Sequence, residues 1–233
     1  MQSAQNLLAG LAVGIGLAAL GYFVSQTTLN GRTGANTAEV KGLSERVVKA
    51  DIATWKLAYQ ASANWEVPIS DTFDQATRDL DTVEDALESL GFLSDEVRVS
   101  PIFKNDRIRT NNNNEIIDQW YVVEAEISIS TNEPQKVEAA RSEVLALVQD
   151  NIGIREQSIF YDFTNLNEIK PDMLREATEN ARLAANEFAS NAGVKVGGIQ
   201  SARQGGFGIE PVGADPLDRK VRVVTTVTFY LEN

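Results

Sequence analysis

Residues 119–131, QWYVVEAEISIST, alternate without a break. Tyr121, Val123, Ala125, Ile127 and Ile129 fall on one side of an extended chain, and Glu124, Glu126 and Ser128 fall on the other. A period of two with one apolar face predicts a half-buried antiparallel strand. The rhythm recurs upstream, where Ala53, Trp55, Leu57, Tyr59 and Ala61 alternate with Thr54, Lys56, Ala58 and Gln60. That run lies in a strand read over 38–63, with a break near 44–49. It recurs again at the far end, where Val221, Val223, Thr225, Val227, Phe229 and Leu231 share a face.

Helical spacing lies between these strands. Over 70–90 the apolar residues Phe73, Ala76, Leu80, Val83, Leu87 and Leu90 recur at three and four. Ser70 or Asp71 is placed to cap this helix and Gly91 to stop it. Its remaining positions, including Asp71, Asp74, Asp79, Asp81, Glu84, Asp85 and Glu88, read as a solvated acidic face, because carboxylates spread over several turns do not converge on one ion. A second helix is predicted over 134–150, opening on Pro134 as a first-turn proline. A third, Ala-rich, is predicted over 171–192 and ends at Gly193. Short strands are read over 95–103, 158–163 and 197–203. Residues 104–118, with Asn111 to Asn114, read as a mobile loop, and 204–218 as a Gly- and Pro-rich one.

The resulting order is β-α-β-β-α-β-α-β-β. Helix, terminal glycine, strand, polar loop and long strand follow one another from Gly91 and again from Gly193. The expected fold is therefore α+β: two β-α-β-β units, 38–131 and 155–233, with antiparallel sheets, helices on one face, and helix 134–150 joining them.

Ahead of this domain, Leu7 to Val24 reads LLAGLAVGIGLAALGYFV, with no charged residue. At 1.5 Å per residue such a helix is roughly 27 Å long, close to the ~30 Å of a bilayer's hydrocarbon core. We read residues 1–24 as a single N-terminal transmembrane anchor and 25–37 as a tether. A cleaved signal peptide is the alternative, but the n-region MQSAQN carries no Lys or Arg and no A-x-A follows the run. Gly10, Ala12, Gly14, Gly16 and Ala18 have small-x-x-x-small spacing, which lets membrane helices approach closely. Arg32, Lys41, Arg46 and Lys49 follow the anchor and none precedes it, so charge alone leans toward an inside domain.

Composition removes whole classes of chemistry. The chain has no cysteine and no histidine, which excludes disulfides, thiol nucleophiles, the usual zinc sites and Ser-His-Asp triads. Its net charge is -12, and the acidity lies beyond residue 31, so nucleic acid is not an expected partner. Gly205-Gly206-Phe207-Gly208 has glycines like a phosphate cradle. A strand follows it, however, and no G-K-[ST] is present, so it reads as a hairpin loop. Trp55 lies on an apolar strand face and reads as core. Trp120, on the more polar face of its strand, is the candidate for an interface or ligand contact. Asp51 has no evident catalytic partner and reads as a hydrogen-bonding residue at a strand bend. We identify no catalytic, cofactor-binding or metal-binding set.

Val40-Lys41-Gly42, then Ala50-Asp51-Ile52-Ala53 leading into a long strand, resembles the start of the SIMPL domain. So do Ala192-Gly193-Val194-Lys195-Val196-Gly197, Ala202-Arg203-Gln204-Gly205 and the closing Val221 to Val227. Gly42, Asp51, Gly91, Gly193 and Gly197 stand out as structural positions. Ala50 departs from the proline that many members carry before the Asp. The resemblance implies an envelope protein of the YggE-like kind, one that oligomerises and is linked in general terms to oxidative-stress tolerance; it carries over no catalytic residue. It also places the C-terminal domain in the periplasm, against the weak charge rule. The expectation is thus a non-enzymatic inner-membrane protein that binds or scaffolds and partners itself. The alternatives are a carboxylate- or Lys-based enzyme and a ring with a central pore.

Overall fold

The computed structural model describes residues 14–22 and 36–232. Gly10, Ala12 and the outer parts of the expected anchor, with nearly all of the tether, lie outside the described residues. Within them, residues 14–22 form a helix, α1. Among the described residues no helix is long and apolar enough to cross a membrane.

The remainder is an α+β fold with two antiparallel sheets. Its elements are β1 (Thr37–Lys49), β2 (Ile52–Asn64), α2 (Ile69–Ser89), β3 (Val97–Val99), β4 (Phe103–Thr110), β5 (Ile116–Thr131), α3 (Pro134–Ala146) with a 3-10 turn at Leu147–Asp150, β6 (Ile154–Asp162), α4 (Leu166–Ala192), β7 (Lys195–Gln204), β8 (Gly208–Pro211) and β9 (Asp218–Glu232). One sheet has the order β1-β9-β7, with β8 also on β9. The other has the order β3-β5-β2-β6, with β4 also on β5.

Two compact units divide the chain. One takes in Met1–Glu45, Pro171–Phe207 and Arg222–Asn233; the other takes in Arg46–Lys170 and Gly208–Val221. In the larger unit the alternation at β2 and β5 works as the sequence demands. Trp55 stands between Ile129 and Ile159, and Leu57 faces Ile127. These residues bury their shared face against Ala76, Leu80, Val83 and Leu87 of α2 and Val137, Ala140 and Val144 of α3. In the smaller unit, Ala177, Ala181, Ala185 and Ala189 of α4 are buried, and Ala181 and Ala185 pack with Val227 and Phe229 of β9.

The structure corrects the expected division into sequential halves. β6, from the second half, pairs with β2, while β1, from the first, pairs with β9. Each sheet therefore contains strands from both halves. Nor is α3 a connector, since its apolar side chains belong to the core of the larger unit. The break in the first long strand falls at Ala50-Asp51, not at 44–49. There the Ala50 N–H bonds the Leu217 carbonyl and the Asp51 N–H bonds that of Asp162, so both backbone donors leave the ladder satisfied.

Residues 104–118 are not a loop. They form most of β4 and the start of β5, joined by a short turn in which Asn114 takes φ 62°, a conformation asparagine tolerates. Residues 204–218 likewise contain β8. The α2 N-terminus has Pro68 in the capping position with no side-chain cap bond, in place of Ser70 or Asp71. Pro171 lies inside α4, which starts at Leu166, and there it removes one ladder hydrogen bond.

The repeated helix-stop signal is real in geometry. Gly91 and Gly193 take φ +89° and +71°. After each, the next N–H reaches back across the turn, Phe92 to the Leu87 carbonyl and Val194 to that of Ala189. This is the Schellman closure, which needs a left-handed residue at that point.

Candidate functional site

Two places in the larger unit combine unusual chemistry with a defined shape. The first is the outer end of the β4–β5 pair. The β2–β5 register ends at Asn64 opposite Trp120, but β4 continues along β5, with Ile108 opposite Gln119 and Arg109 opposite Asp118. Among the described residues, the piece from Arg107 to Gln119 is therefore a two-stranded ribbon. A lone ribbon is marginal in water, and this one is held by local polar contacts. The Arg109–Asp118 ion pair spans 3.1 Å. The Asn111 side chain accepts the N–H groups of Asn113 and Glu115 and donates to the Glu115 carboxylate.

The ribbon carries Ile108, Ile116 and Ile117, exposed by 57%, 55% and 56%. Ile117 and Ile108 continue the face that bears Tyr121 and Val123, so the apolar stripe of β5 runs on past the core. Nearby, Trp65 is 54% exposed and meets the Tyr121 ring edge-on. The Lys104 ammonium lies 5.2 Å from the Trp65 ring centre. Exposed apolar residues gathered at one end of a sheet form the kind of surface on which interaction sites are built.

The second place is a polar cleft of about 480 Å³ lined by Gln60, Ser62, Asp71, Thr72, Gln75 and Asp79, among others. Asp79 corrects the reading of the α2 acids as one solvated face, because it is only 8% exposed. The Tyr59 hydroxyl donates to its Oδ2 at 2.7 Å and the Gln75 amide to its Oδ1 at 2.6 Å. Beside it the Tyr121 hydroxyl donates to the Val67 carbonyl, which leaves Thr72 Oγ1 as donor to Tyr121. Burial, and then the Asp79 carboxylate, hold the Tyr59 hydroxyl above its ordinary range. The signal for Asp79 was present in the sequence. It stands three residues after Ala76 and four before Val83, inside the apolar stripe.

This network has a testable pH signature. A raised folded-state value means that Tyr59 contributes stability fully present below its ordinary value, about pH 10, and lost as pH rises from there through the folded value. Tyr59→Phe leaves the buried Asp79 Oδ2 without its donor, and is expected to cost about 1–3 kcal/mol near neutrality. Urea melts at about pH 8 and about pH 10.5 should show a smaller alkaline loss in the variant than in the parent chain. An equal loss would show that the alkaline sensitivity arises elsewhere.

The other candidates separate. Trp120 is half-buried on the outer face of β5, opposite Asn64 and Arg107. The Asp51 carboxylate accepts the N–H groups of Thr164 and Asn165, at 2.8 and 2.9 Å, and the Thr164 hydroxyl. It thus ties the β1–β2 bend to the segment leading into α4. Gly42 lies against the backbone of α4, and Gly197 lies beside the Glu232 side chain. Gly14 and Gly16 have open space where a Cβ would be, and Ala18 is exposed on the same helix.

Residues 38–229 match the family model SIMPL, described as a protein of unknown function, DUF541. The chain belongs to the SIMPL family. The family model spans both sheets and nearly all described residues beyond α1. A search of curated proteins finds no match. Among solved structures, the SIMPL chain overlaps an amidase of the hydantoinase/carbamoylase family from Burkholderia phymatum, with 11% identity and a TM-score of 0.27 over 53% of this chain and 30% of that one. It also overlaps a putative amidohydrolase/peptidase from Burkholderia cenocepacia, with 15% identity and a TM-score of 0.22 over 57% and 32%. The SIMPL chain spans about a third of the length of these structures. Overlaps this slight say nothing about its fold or activity.

Proposed function

We propose that this SIMPL protein is a self-assembling envelope scaffold, held at the inner membrane by its N-terminal apolar segment, with the α+β domain in the periplasm. Its role is binding and support rather than catalysis, and the resemblance ties that role to oxidative-stress protection. The observation that carries the reading is the ribbon of β4 and β5, which holds three isoleucines in water beyond the core that their strands build. The α1 residues Ile15, Leu17 and Leu20 are exposed in the same way. Both surfaces need a cover, and further copies of the chain, with the bilayer, supply it.

Light scattering on the detergent-solubilised full chain tests this. The expected result is a high-order oligomer that becomes smaller in the Ile108→Asp, Ile117→Asp double variant, with unchanged circular dichroism. A monomeric parent chain would remove the assembly reading, and a double variant of unchanged size would remove the ribbon from it.

A further inference from the structure

Arg219, at the start of β9, is 7% exposed. Its Nε donates to the Tyr161 carbonyl at 2.7 Å, and its Nη1 donates to the carbonyls of Pro216 and Asp218 at 2.9 and 2.8 Å. The guanidinium lies 5.9 Å from the centre of the Tyr161 ring. Every hydrogen-bond acceptor is a neutral carbonyl. Among the described residues no carboxylate forms an ion pair with Arg219; Asp218, its neighbour, is committed to Lys49 at 2.7 Å. A buried guanidinium without a counter-charge is costly.

Stapling three carbonyls explains Nε and Nη1. It leaves both N–H groups of Nη2 without an acceptor, and Nη2 is not among the sealed, unpartnered polar atoms of the described residues. Nη2 is therefore not fully sealed from solvent. Arg219 lines a cleft of about 340 Å³ whose other walls include Ile159, Phe160, Phe163, Ile209 and Pro211. That is near the lower end of the range for small-ligand sites, about 300–1,000 Å³, and the pattern of apolar walls around one charged group is the usual one for such sites. Asp162 also lines the cleft, but it is exposed and forms no ion pair with Arg219. Phe160 and Ile209 are exposed by 57% and 40%, so the rim is apolar as well.

We propose that this cleft binds a monocarboxylate carried on an apolar body. The carboxylate takes the charge-assisted bonds of Nη2, and the body lies against Phe160, Phe163 and Ile209. Because Nε and Nη1 are already committed, the contact is made end-on through Nη2 and not through the two-pronged fork. The site is independent of the assembly reading, since it uses neither the ribbon nor α1.

The test is calorimetric titration of the detergent-solubilised full chain with 3-phenylpropionate and with its amide, 3-phenylpropionamide. Saturable binding of the acid is expected, with the amide weaker by about tenfold or more because it lacks the charge. Phe160→Ser, a rim substitution that leaves the core intact, should weaken the acid several-fold with an unchanged melting curve. Arg219→Lys, which loses Nη2 along with the bonds to the three carbonyls, should weaken the acid as well, with a lowered melting temperature. No saturable binding at millimolar acid, an amide that binds as well as the acid, or a Phe160→Ser chain with unaltered affinity would each overturn the proposal.

Discussion

Gly42→Ala is expected to destabilise the protein by on the order of 3 kcal/mol, at the upper end of what overpacking usually costs. For a chain of this size that corresponds to a fall in Tm of roughly 6–12 °C. A Cβ at position 42 would lie 1.7 Å from the Ala177 carbonyl oxygen and 2.5 Å from the Ala181 nitrogen. Both are backbone atoms of α4, so no side-chain rotation relieves the clash and the helix must lift off β1. The alanine stripe of α4 exists to permit this approach. Two polar contacts hold it: Ser44 Oγ donates to Glu176 at 2.8 Å, and the Asn180 amide donates to the Leu43 carbonyl at 2.8 Å. Thermal melts by circular dichroism, with the exposed Gly206→Ala as control, check the claim. Gly206 has open space where the new methyl would go, so its variant should melt close to the parent. Equal melting of both variants would mean that β1 and α4 are not in backbone contact.

Trp55→Ala is expected to cost about 3–5 kcal/mol, the range for removing a large aromatic side chain from a core. Trp55 is fully buried and sits in an interior strand of its sheet, flanked on both sides by isoleucines. One detail makes a graded test available. Its indole Nε1 is buried with no hydrogen-bond partner, and leaving such a group unpaired carries a penalty of about 1–3 kcal/mol. Trp55→Phe loses volume but also removes that orphan donor. It should therefore cost less than half as much as Trp55→Ala in urea denaturation. A phenylalanine variant as unstable as the alanine one would indicate that the indole N–H finds a partner in solution.

The long strands, the three large helices and the glycine stops of α2 and α4 were legible because each depends on local spacing. β2, β5 and β9 bury one face each, so their alternation is strong. The β4 strand was not legible. FKNDRIRT has no apolar alternation, because its outer half is a ribbon wetted on both faces, and the four asparagines beside it look like loop. Strand partnership was not legible either. Nothing in the composition of β1 or β6 says which sheet each joins, since both carry a mixed face and the choice is made by tertiary contact. At the candidate sites the difference is similar. Gly42 and Asp51 were found by motif. Asp79 was assigned to solvent by its charge, although its position in the stripe put it inside. Arg219 was passed over because its burial depends on the carbonyls of Tyr161 and Pro216, which only folding brings to it.

The exchange of β1 and β6 between the sheets has a consequence for biogenesis. β1 (Thr37–Lys49) has β9 (Asp218–Glu232) as its sheet neighbour, so during synthesis it emerges long before the strand that will pair with it. β2 must likewise wait for β6 to complete its second side. Contacts this distant in sequence slow folding and leave strand edges bare in the meantime. A nascent chain stopped short of β9 holds an open β1 edge, and the β1-β9-β7 sheet forms only once that strand has been made.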